Sequence, residues 1–352
     1  MGRQRVTLAD VARSAGVSSP TASLVLSGRG AELRISDAVQ QRVRSVATSL
    51  GYRPNIASIG LRKGTTRTLG FVSDTVATSQ LAGDMIRGAL EAARERGYML
   101  FIGEDEGDDE LERQLLDAML DRQVDGIVLA SMYTQRRRVP TRLEQVPAVL
   151  LNALPQGRRR GVPVVVPDEL EAGRAAARLL LDAGHREIHL VGAGPTPDDV
   201  PEGGVAAAER LSGILEVLGE AGLEPASGRL HAAWHPPEGY EAMQTVLDLP
   251  RTGGGPPGVV TFNDRLAMGV YQAVQERGLA VPDDVGVVSF DDHPIADWLR
   301  PGLTTFAIPH HELGRRAVHL LLDAVGSGPP ARATTHRVPM PVRLRGSVRL
   351  PG

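Results

Sequence analysis

The chain has 352 residues, a formal net charge of −3 and no cysteine. This length suggests two or three domains, and the lack of cysteine excludes disulfides, thiolate metal sites and cysteine nucleophiles. No apolar run approaches the roughly 20 residues of a membrane span, and residues 1–10 lack the apolar core of an export signal, so we expect a cytoplasmic protein with no membrane partner.

The charge is divided unevenly along the chain. Residues 1–67 contain eleven basic and three acidic side chains, a net charge of +8, whereas residues 68–352 carry −11. A basic head on an acidic body indicates that the head alone binds a polyanion. The alternative for the head is a solvated basic tail without a partner.

Three short helices are predicted in the head. Residues 7–10, Thr-Leu-Ala-Asp, fit a capping box at the start of the first helix, which Gly16 ends. Ser18 can cap a second helix with Pro20 in its first turn, where proline is tolerated, and Ser36 can cap a third. Two short helices joined by a tight glycine turn form a helix-turn-helix.

The second predicted helix exposes small side chains, namely Ser19, Pro20, Thr21, Ser23 and Leu24. Small polar residues at a helix N-terminus can approach phosphates and base edges closely. Together with the basic charge of the head, this pattern predicts a DNA-binding headpiece. The alternative is a three-helix bundle without a DNA role.

Four segments of the head carry a family pattern: VTLADVA at 6–12, AGVS at 15–18, TASLVLS at 21–27 and LGYRPN at 50–55. They resemble the headpiece of the lactose-repressor (LacI/GalR) family, and the resemblance extends through the rest of the chain. It implies a transcriptional regulator that binds a near-palindromic double-stranded DNA operator as a homodimer, with the second helix in the major groove. The DNA-binding residues that we predict are Thr7, Ser18, Ser19, Pro20, Thr21, Ser23, Leu24, Asn55, Ser58 and Leu61.

Two positions of the headpiece depart from the family. The family usually has an arginine that contacts DNA where Leu24 stands, and Leu24 offers only apolar contact, for instance to a thymine methyl. Pro20 occupies a position that varies with operator choice, and it has no side-chain hydrogen bond to give. We therefore expect an operator that differs from the one common in the family.

Residues 56–64 correspond to the family's hinge helix. A segment of nine residues makes a poor isolated helix, and the resemblance implies that it folds only on DNA, where Leu61 of each subunit opens the central minor-groove step. Ile59 and Gly60 replace the family's usual arginine and serine, and a glycine weakens a helix by about 1 kcal/mol relative to alanine. The alternative is a plain interdomain linker.

Strand and helix patterns alternate from residue 68 onward. The predicted strands are 68–73, 98–102, 126–130, 148–152, 187–191, 259–262, 285–290 and 342–348, and the predicted helices are 81–96, 111–121, 172–183, 205–221 and 265–277. Such alternation predicts an α/β fold with parallel sheets, and about 285 residues favour two lobes.

The predicted fold is an N-terminal all-α helix-turn-helix headpiece followed by a two-lobed, periplasmic-binding-protein-like α/β domain. Residues 1–52 form the headpiece and residues 53–67 the hinge helix and linker. Residues 68–352 form the domain that binds the effector and dimerises.

Polar side chains stand at the predicted carboxyl ends of the strands, where open α/β sheets bind ligands. They are Ser73-Asp74, Ser131, Asn152, Asn263-Asp264 and Asp291-Asp292. Each of them taken alone could be a helix cap or a turn residue. Together they predict a shared cleft.

The family resemblance assigns roles to some of these residues. It implies that Arg210 binds ligand hydroxyls or a carboxylate, that Trp234 stacks on the ligand, and that Asn263 and Asp291 line the pocket, while Asn152 matches a pocket aspartate of part of the family. The predicted effector-binding residues are therefore Asp74, Asn152, Arg210, Trp234, Asn263 and Asp291. A tryptophan face beside carboxylates and amides favours a sugar or a sugar derivative. The alternative for Trp234 is core packing.

Two rival functions compete with a regulator. His185-Arg186-Glu187-Ile188-His189 suggests metal ligands, but zinc proteases need His-Glu-x-x-His on a helix, and this segment runs into a predicted strand. We therefore expect no enzyme, no metal and no cofactor. The second rival is a sugar-binding receptor of the same two-lobed fold without a DNA function, against which the helix-turn-helix and the missing export signal count.

The C-terminal sequence bears on assembly. Tetrameric members of the family add a leucine-heptad helix, whereas this sequence reaches Leu350-Pro351-Gly352 directly after the predicted strand 342–348. We expect a dimer and no higher assembly. From the family's commonest behaviour, we also expect the effector to release DNA.

Overall fold

A computed structural model describes residues 6–53, 64–79, 82–157, 161–230, 233–251, 254–328 and 334–349. The chain forms two compact units, Met1–Thr66 and Arg67–Gly352. The predicted contact residues Asn55, Ser58 and Leu61, and all but the last residue of the predicted hinge helix, lie outside the described residues.

The first unit contains three helices: α1 (Leu8–Ala15), α2 (Ser19–Leu26) and α3 (Asp37–Ser49). The capping box before α1 is present, since the Thr7 hydroxyl accepts from the backbone N–H of Asp10 and the Asp10 carboxylate accepts from that of Thr7. Gly16 ends α1 at φ 64°, a left-handed conformation that favours glycine. The helices bury a small common core that includes Val11, Ala22, Val25 and Val43, which confirms the predicted helix-turn-helix.

The second unit has an α/β architecture with two sheets. Its strands are β1 (Thr68–Ser73), β2 (Met99–Glu104), β3 (Gly126–Arg137), β4 (Ala148–Pro155), β5 (Val164–Pro167), β6 (Ile188–Val191), β7 (Ser227–Arg229), β8 (Gly258–Thr261), β9 (Gly286–Asp291), β10 (Thr304–Ala307), β11 (Thr335–Val338) and β12 (Val342–Arg343). Its helices are α4 (Gly83–Glu95), α5 (Asp109–Asp121), α6 (Glu169–Asp182), α7 (Val205–Glu220), α8 (Pro236–Leu247), α9 (Asp264–Glu276), α10 (Ile295–Trp298) and α11 (His310–Ser327), with a 3₁₀ turn at Thr141–Gln145.

Each sheet organises one lobe. The strand order in lobe 1 is β11-β5-β4-β3-β1-β2, and every pair is parallel. The order in lobe 2 is β12-β10-β9-β8-β6-β7, parallel except for the antiparallel pair of β10 and β12. The two-lobed α/β fold with parallel sheets is confirmed.

The chain crosses between the lobes three times: from β5 to α6, from β10 to α11, and from β11 to β12. An isolated backbone bridge also pairs Gln135 of lobe 1 with Gly204 of lobe 2. Because parallel strands present their carboxyl ends at one edge, these crossings bring the carboxyl-terminal edges of both sheets to a common cleft.

The helices of lobe 2 pack closely where glycines meet. A Cβ on Gly173 of α6 would lie 2.2 Å from the carbonyl oxygen of Arg210 in α7, and one on Gly213 of α7 would lie 2.2 Å from the carbonyl oxygen of Leu170 in α6. A real Cβ could not occupy either place without moving a helix backbone. The pair of glycines therefore fixes how deeply α7, which carries Arg210, sits against α6.

The structure corrects some predicted elements. The predicted strand 126–130 is the start of β3, which continues to Arg137 with a register shift between Ala130 and Gln135. The predicted strand 342–348 was wrong beyond Arg343, because the Ser347 side chain instead hydrogen-bonds the backbone of Val287 and Thr304. Several elements were not predicted, namely β5, β7, α8, β10, α10, α11 and β11.

Candidate functional site

The candidate DNA-binding surface is the N-terminal end of α2. Ser18 caps the helix: its Oγ accepts from the backbone N–H of Thr21 at 3.3 Å and lies 2.8 Å from the Thr21 hydroxyl. Ser19 and Pro20 are exposed in the first turn, whereas Ser23 and Leu24 are half-buried. The positive end of the α2 dipole and small side chains thus coincide on an exposed surface, which suits approach to a phosphate backbone.

Thr7 occupies the start of α1 and is already engaged. Its hydroxyl donates to the Asp10 carboxylate at 2.6 Å, and Asp10 also pairs with Arg13 at 3.3 Å. These hydrogen bonds lower the pKa of Asp10. The backbone N–H groups at the start of α1, rather than a free Thr7 side chain, are what this end offers to a phosphate.

A cavity of about 390 Å³ lies in the cleft between the two lobes. Lobe 1 contributes Met132, Tyr133, Thr134 and Asn152; the interlobe crossings contribute Pro167, Glu169, Ile308 and His310; and lobe 2 contributes Pro201, Glu202, Gly204, Ala207, Arg210, Ala233, Trp234, Asn263, Arg265 and Asp291. The structure therefore brings together five of the six predicted effector-binding residues.

Arg210 projects from α7 and is buried at the base of the cavity. Its Nε donates to Glu169 Oε2 at 2.6 Å and its Nη2 to Glu169 Oε1 at 3.1 Å, which makes a bidentate ion pair. Its Nη1 donates to the carbonyl oxygen of Phe262 at 2.6 Å, and its Nη2 lies 3.7 Å from Asp291 Oδ1. The guanidinium also lies 4.5 Å from the centre of the Phe290 ring. Arg210 thus links the start of α6, the residue after β8 and the end of β9 at the base of the cavity.

Two carboxyl groups are buried close to Arg210. Burial raises the pKa of Asp291 to about 7, and the neighbouring Asp264 and Glu169 add to the rise while Arg210 opposes it. Burial also raises the pKa of Asp264 to about 6. Asp264 accepts hydrogen bonds from the Thr305 hydroxyl at 2.8 Å and from the backbone of His293 at 2.7 Å. Asp291 keeps lone pairs that can accept hydrogen bonds from hydroxyl groups.

Asn263 supports Trp234. As the N-cap of α9, its Oδ1 accepts from the backbone N–H of Leu266 at 2.8 Å, and its Nδ2 donates to the carbonyl oxygen of Trp234 at 3.2 Å. The Trp234 indole donates to the carbonyl oxygen of Gly192 at 2.9 Å, and its ring is tilted against Phe262. Trp234 is half-buried, so its ring is held firmly at the cavity wall.

Asn152 shapes the opposite wall. Its Oδ1 accepts from the Thr134 hydroxyl at 2.6 Å, and its Nδ2 lies 3.1 Å and 3.0 Å from the carbonyl oxygens of Ser131 and Met132. These bonds hold the irregular part of β3 between the two halves of its ladder. Asn152 therefore uses its hydrogen bonds to hold the β3 segment that lines the cavity.

Three of these residues have left-handed backbone conformations: Asn152 at φ 55°, Trp234 at φ 52° and Asp291 at φ 111°. Such conformations cost residues other than glycine of order 1–3 kcal/mol each and cluster at functional sites. Their presence around a single cavity favours a binding role for that cavity over simple packing.

Asp74 is not brought to this cavity. Its carboxylate accepts from the backbone N–H groups of Met132 at 2.9 Å and Thr75 at 2.6 Å, and from Gln135 Nε2 at 3.2 Å. It lines a separate cavity of about 520 Å³ in lobe 1, together with Asp105 and other residues. Asp74 therefore positions the β3 segment that borders the cleft.

Several cavity residues were missed from sequence. Glu169 follows the unrecognised strand β5, so its pairing with Arg210, 41 positions away, had no local signal. Arg265 directly follows the Asn263-Asp264 motif and could have been included with it. His310 lies at the β10–α11 crossing, where burial lowers its pKa to about 4, so it is neutral near pH 7.

A buried Ser-His-Glu cluster lies elsewhere, at the edge of the lobe 2 sheet. His189 Nδ1 lies 2.8 Å from Ser227 Oγ, and its Nε2 lies 3.2 Å from Glu187 Oε1. A hydrolytic triad has the carboxylate on Nδ1 and the nucleophile on Nε2, so the two nitrogens are used in the reverse order. Burial lowers the pKa of His189. Within the described ranges no group of His, Asp and Glu side chains could hold a metal ion.

In the part of the chain that the structure describes, no helix is both long and apolar enough to span a bilayer.

Comparisons with known proteins cover both units. Residues 7–55 match the family described as bacterial regulatory proteins, lacI family, and residues 164–348 match the periplasmic binding protein-like domain. The ribose operon repressor of Escherichia coli strain K12 is 31% identical over 322 residues, which are 91% of this chain and 93% of the repressor. The transcriptional repressor PurR of Mannheimia succiniciproducens is 30% identical over 331 residues, 93% and 94% of the two chains.

Solved structures share the fold. The lac repressor dimer bound to operator and the anti-inducer ONPF has a TM-score of 0.78 at 23% identity and covers 98% of this chain and 99% of its own. The complex of the transcriptional regulator CelR with cellobiose has a TM-score of 0.65 at 25% identity and covers 97% and 100% of the two chains.

Proposed function

The chain belongs to the lacI family of bacterial regulatory proteins, and from that premise we propose that it is a transcriptional repressor controlled by a small molecule. It binds a near-palindromic operator in double-stranded DNA through the headpiece, and a sugar or sugar derivative in the interlobe cleft changes its affinity for that operator. We assign residues 1–52 to DNA recognition, residues 53–67 to the hinge and linker, and residues 68–352 to effector binding and dimerisation.

The observation that carries the proposal is the cavity shared by the two lobes. Arg210, Trp234 and Asp291 reach it from lobe 2 and Asn152 from lobe 1, at the place where the chain crosses between them. A ligand that touches both lobes binds their closed and open arrangements with different affinity, and only such a difference can shift a conformational equilibrium.

The headpiece supports the DNA-binding half of the proposal. Its exposed residues Ser18, Ser19 and Pro20 stand at the positive end of α2, in a segment with a net charge of +8. We propose that Thr21, Ser23 and Leu24 also face the major groove. Leu61 would insert into the minor groove, with Asn55 and Ser58 on the adjoining backbone, in the family's manner.

Exposed apolar side chains support a homodimer. The edge strand β2 of lobe 1 presents Met99 and Phe101, which are 64% and 40% exposed, and Ile102 beside them is 41% exposed. Lobe 2 presents Trp298, which is 71% exposed, and Leu344, which is 52% exposed. Apolar edges of this kind invite pairing unless they are covered. We propose that a second copy covers them.

The Trp234 ring and the open carboxylate of Asp291 support a carbohydrate effector. An aromatic face packs against sugar C–H groups, and a carboxylate accepts two neighbouring hydroxyls. Two similar proteins carry sugars in their names, ribose for the operon repressor and cellobiose for the CelR complex. The cleft has the groups of a binding site, and we propose no catalytic role for it. We also propose that the protein is cytoplasmic, because the operator lies in the cytoplasm.

Selection of DNA from a random duplex library by the full chain tests the proposal. We expect enrichment of a near-palindromic sequence, and Leu24→Arg should enrich a different half-site because it restores a guanidinium at the major groove. Recovery of no common sequence by the unmodified protein would contradict the proposal.

A further inference from the structure

Arg265 is a cationic residue of the interlobe cavity that forms no hydrogen bond or ion pair with another described residue. It is the second residue of α9, it lines the cavity and it is half-buried. Its Nε is inaccessible to solvent and has no hydrogen-bond acceptor. Among the residues that the structure describes, no carboxylate forms an ion pair with its guanidinium. An arginine held in this way retains donors for an incoming acceptor.

The neighbouring polar groups are already committed. Arg210 gives its donors to Glu169 and to the carbonyl oxygen of Phe262. Asn263 is used by the α9 cap and by the backbone of Trp234. Asn152 is used by lobe 1 itself. Among the described residues that line the cavity, Arg265 is therefore the cationic side chain with neither a hydrogen bond nor an ion pair to the protein.

The surroundings of Arg265 favour an anion. It lies in the first turn of α9, where the helix dipole is positive. His310 across the cavity is neutral near pH 7 because burial lowers its pKa, and burial likewise weakens the charge of Asp291 by raising its pKa. The carboxylate of Glu202, which also lines the cavity, is exposed to solvent. The charge of Arg265 reaches the cavity lining, since Arg265 opposes the rise in the pKa of Asp291 that burial causes.

We propose that the effector carries an anionic group, a carboxylate or a phosphate, which binds to the guanidinium of Arg265. The hydroxyl groups of the effector then face Asp291, and the ring of the effector lies against Trp234. A planar guanidinium with free N–H groups matches both anions in a bidentate manner. This inference rests on the proposed function, because it takes the interlobe cavity to be the effector site.

Matched pairs of neutral and anionic sugars test the inference. The probes are D-ribose with D-ribose 5-phosphate and D-ribonate, and D-glucose with D-glucose 6-phosphate, D-gluconate and D-glucuronate, each at about 10 mM in a thermal-shift assay of the full chain. We expect at least one anionic member to stabilise the protein more than its neutral parent does.

Substitution assigns the effect to Arg265. Arg265→Met should weaken the stabilising anion roughly 10- to 100-fold by calorimetry, the range for hydrogen bonds to a charged group. Arg265→Gln keeps a donor and guards against a folding defect in the methionine variant. Arg178→Met removes an exposed arginine of the same lobe and should leave binding unchanged.

Three results would overturn the inference: equal or better binding of the neutral parents, unchanged anion binding by both Arg265 variants, or no stabilisation by any anionic probe. Failure of the proposed function has a different signature. In that case the anion binds through Arg265, and DNA selection recovers no operator.

Discussion

At the scale of single residues, Arg210 has a structural role that the sequence does not predict. The family resemblance predicts that it binds ligand, and the structure places its guanidinium in a buried bidentate ion pair with Glu169. Removing one partner of a buried ion pair leaves the other charge uncompensated. We therefore expect a change at Arg210 to affect the fold in addition to the predicted ligand contact.

We predict that Arg210→Ala lowers the free energy of unfolding by about 3–5 kcal/mol. Urea denaturation followed by circular dichroism measures it. The double variant Arg210→Met with Glu169→Leu should recover much of the loss, because it removes both charges together. A loss below about 1 kcal/mol for Arg210→Ala would show that the pair is well solvated.

The buried carboxyls predict a pH dependence of stability. The pKa of Asp291 rises to about 7 and that of Asp264 to about 6 in the folded chain, so the folded state binds these protons more tightly than the unfolded state does. Their contribution is fully present below the ordinary carboxyl pKa near 4 and is lost as the pH rises through 6 and 7. Burial also lowers the pKa of His189 and His310, and their contribution to stability runs the other way. The carboxyl contribution is therefore measured as the difference in melting temperature between Asp291→Asn and the unmodified protein.

The melting temperature of Asp291→Asn, relative to that of the unmodified protein, should rise between about pH 5 and pH 8, because an amide stays neutral at every pH. The exposed Asp182→Asn serves as the control and should keep a constant difference from the unmodified protein. A difference for Asp291→Asn that is the same at pH 5 and pH 8 would contradict the assignment.

Sequence reasoning identified most of the cavity residues because strand ends and a family pattern mark them. Asn152, Asn263 and Asp291 stand at or just after the ends of predicted strands, and the resemblance indicates Arg210 and Trp234. Sequence reasoning could not find Glu169 or place Asp74 at a different cavity, since both depend on partners far along the chain. The left-handed backbone of Trp234 had no signal either, because nothing in its residue type favours that conformation.

At the scale of helices and strands, the contact between α6 and α7 sets the position of the site. Gly173 of α6 meets the backbone of Arg210 itself. We predict that Gly173→Ala forces α7 outward, lowers the free energy of unfolding by about 1–3 kcal/mol and weakens effector binding. Chemical denaturation and calorimetry with the stabilising sugar measure the two effects.

Gly219→Ala in α7 is the matched control. A Cβ there meets nothing within 4 Å, so alanine should be neutral or stabilise the helix by up to about 1 kcal/mol. If Gly173→Ala behaved like Gly219→Ala, the two helices would be free to slide, and the packing argument would be wrong.

Element prediction failed for different reasons at different elements. Strand β5 is bounded by Pro163 and Pro167, which indicate turns and hide its short apolar run. The Pro236-Pro237 pair reads as a turn, yet proline fits the first turn of a helix and begins α8. The helical spacing of Leu313, Ala317 and Leu321 was present in the sequence, and α11 could have been predicted from it.

At the scale of the whole molecule, the exposed apolar edges predict the assembly state. We expect Phe101→Glu combined with Trp298→Ser to shift the protein from dimer toward monomer, because a charge on the β2 edge opposes burial against a second copy. Sedimentation velocity at micromolar concentration measures the shift. Leu33→Ser, which changes an exposed leucine of the headpiece, should leave a dimer, and a monomeric unmodified protein would contradict the assembly.

The central claim is that a ligand in the interlobe cleft controls binding of DNA by the headpiece. The most direct measurement is fluorescence anisotropy of the selected operator duplex with the full chain, with and without the stabilising sugar at a saturating concentration. We expect tighter binding to the operator than to a random duplex, and a loss of operator affinity of roughly 5- to 150-fold when the sugar is added, the usual range of allosteric coupling. Operator affinity that is unchanged by a saturating cleft ligand would contradict the claim.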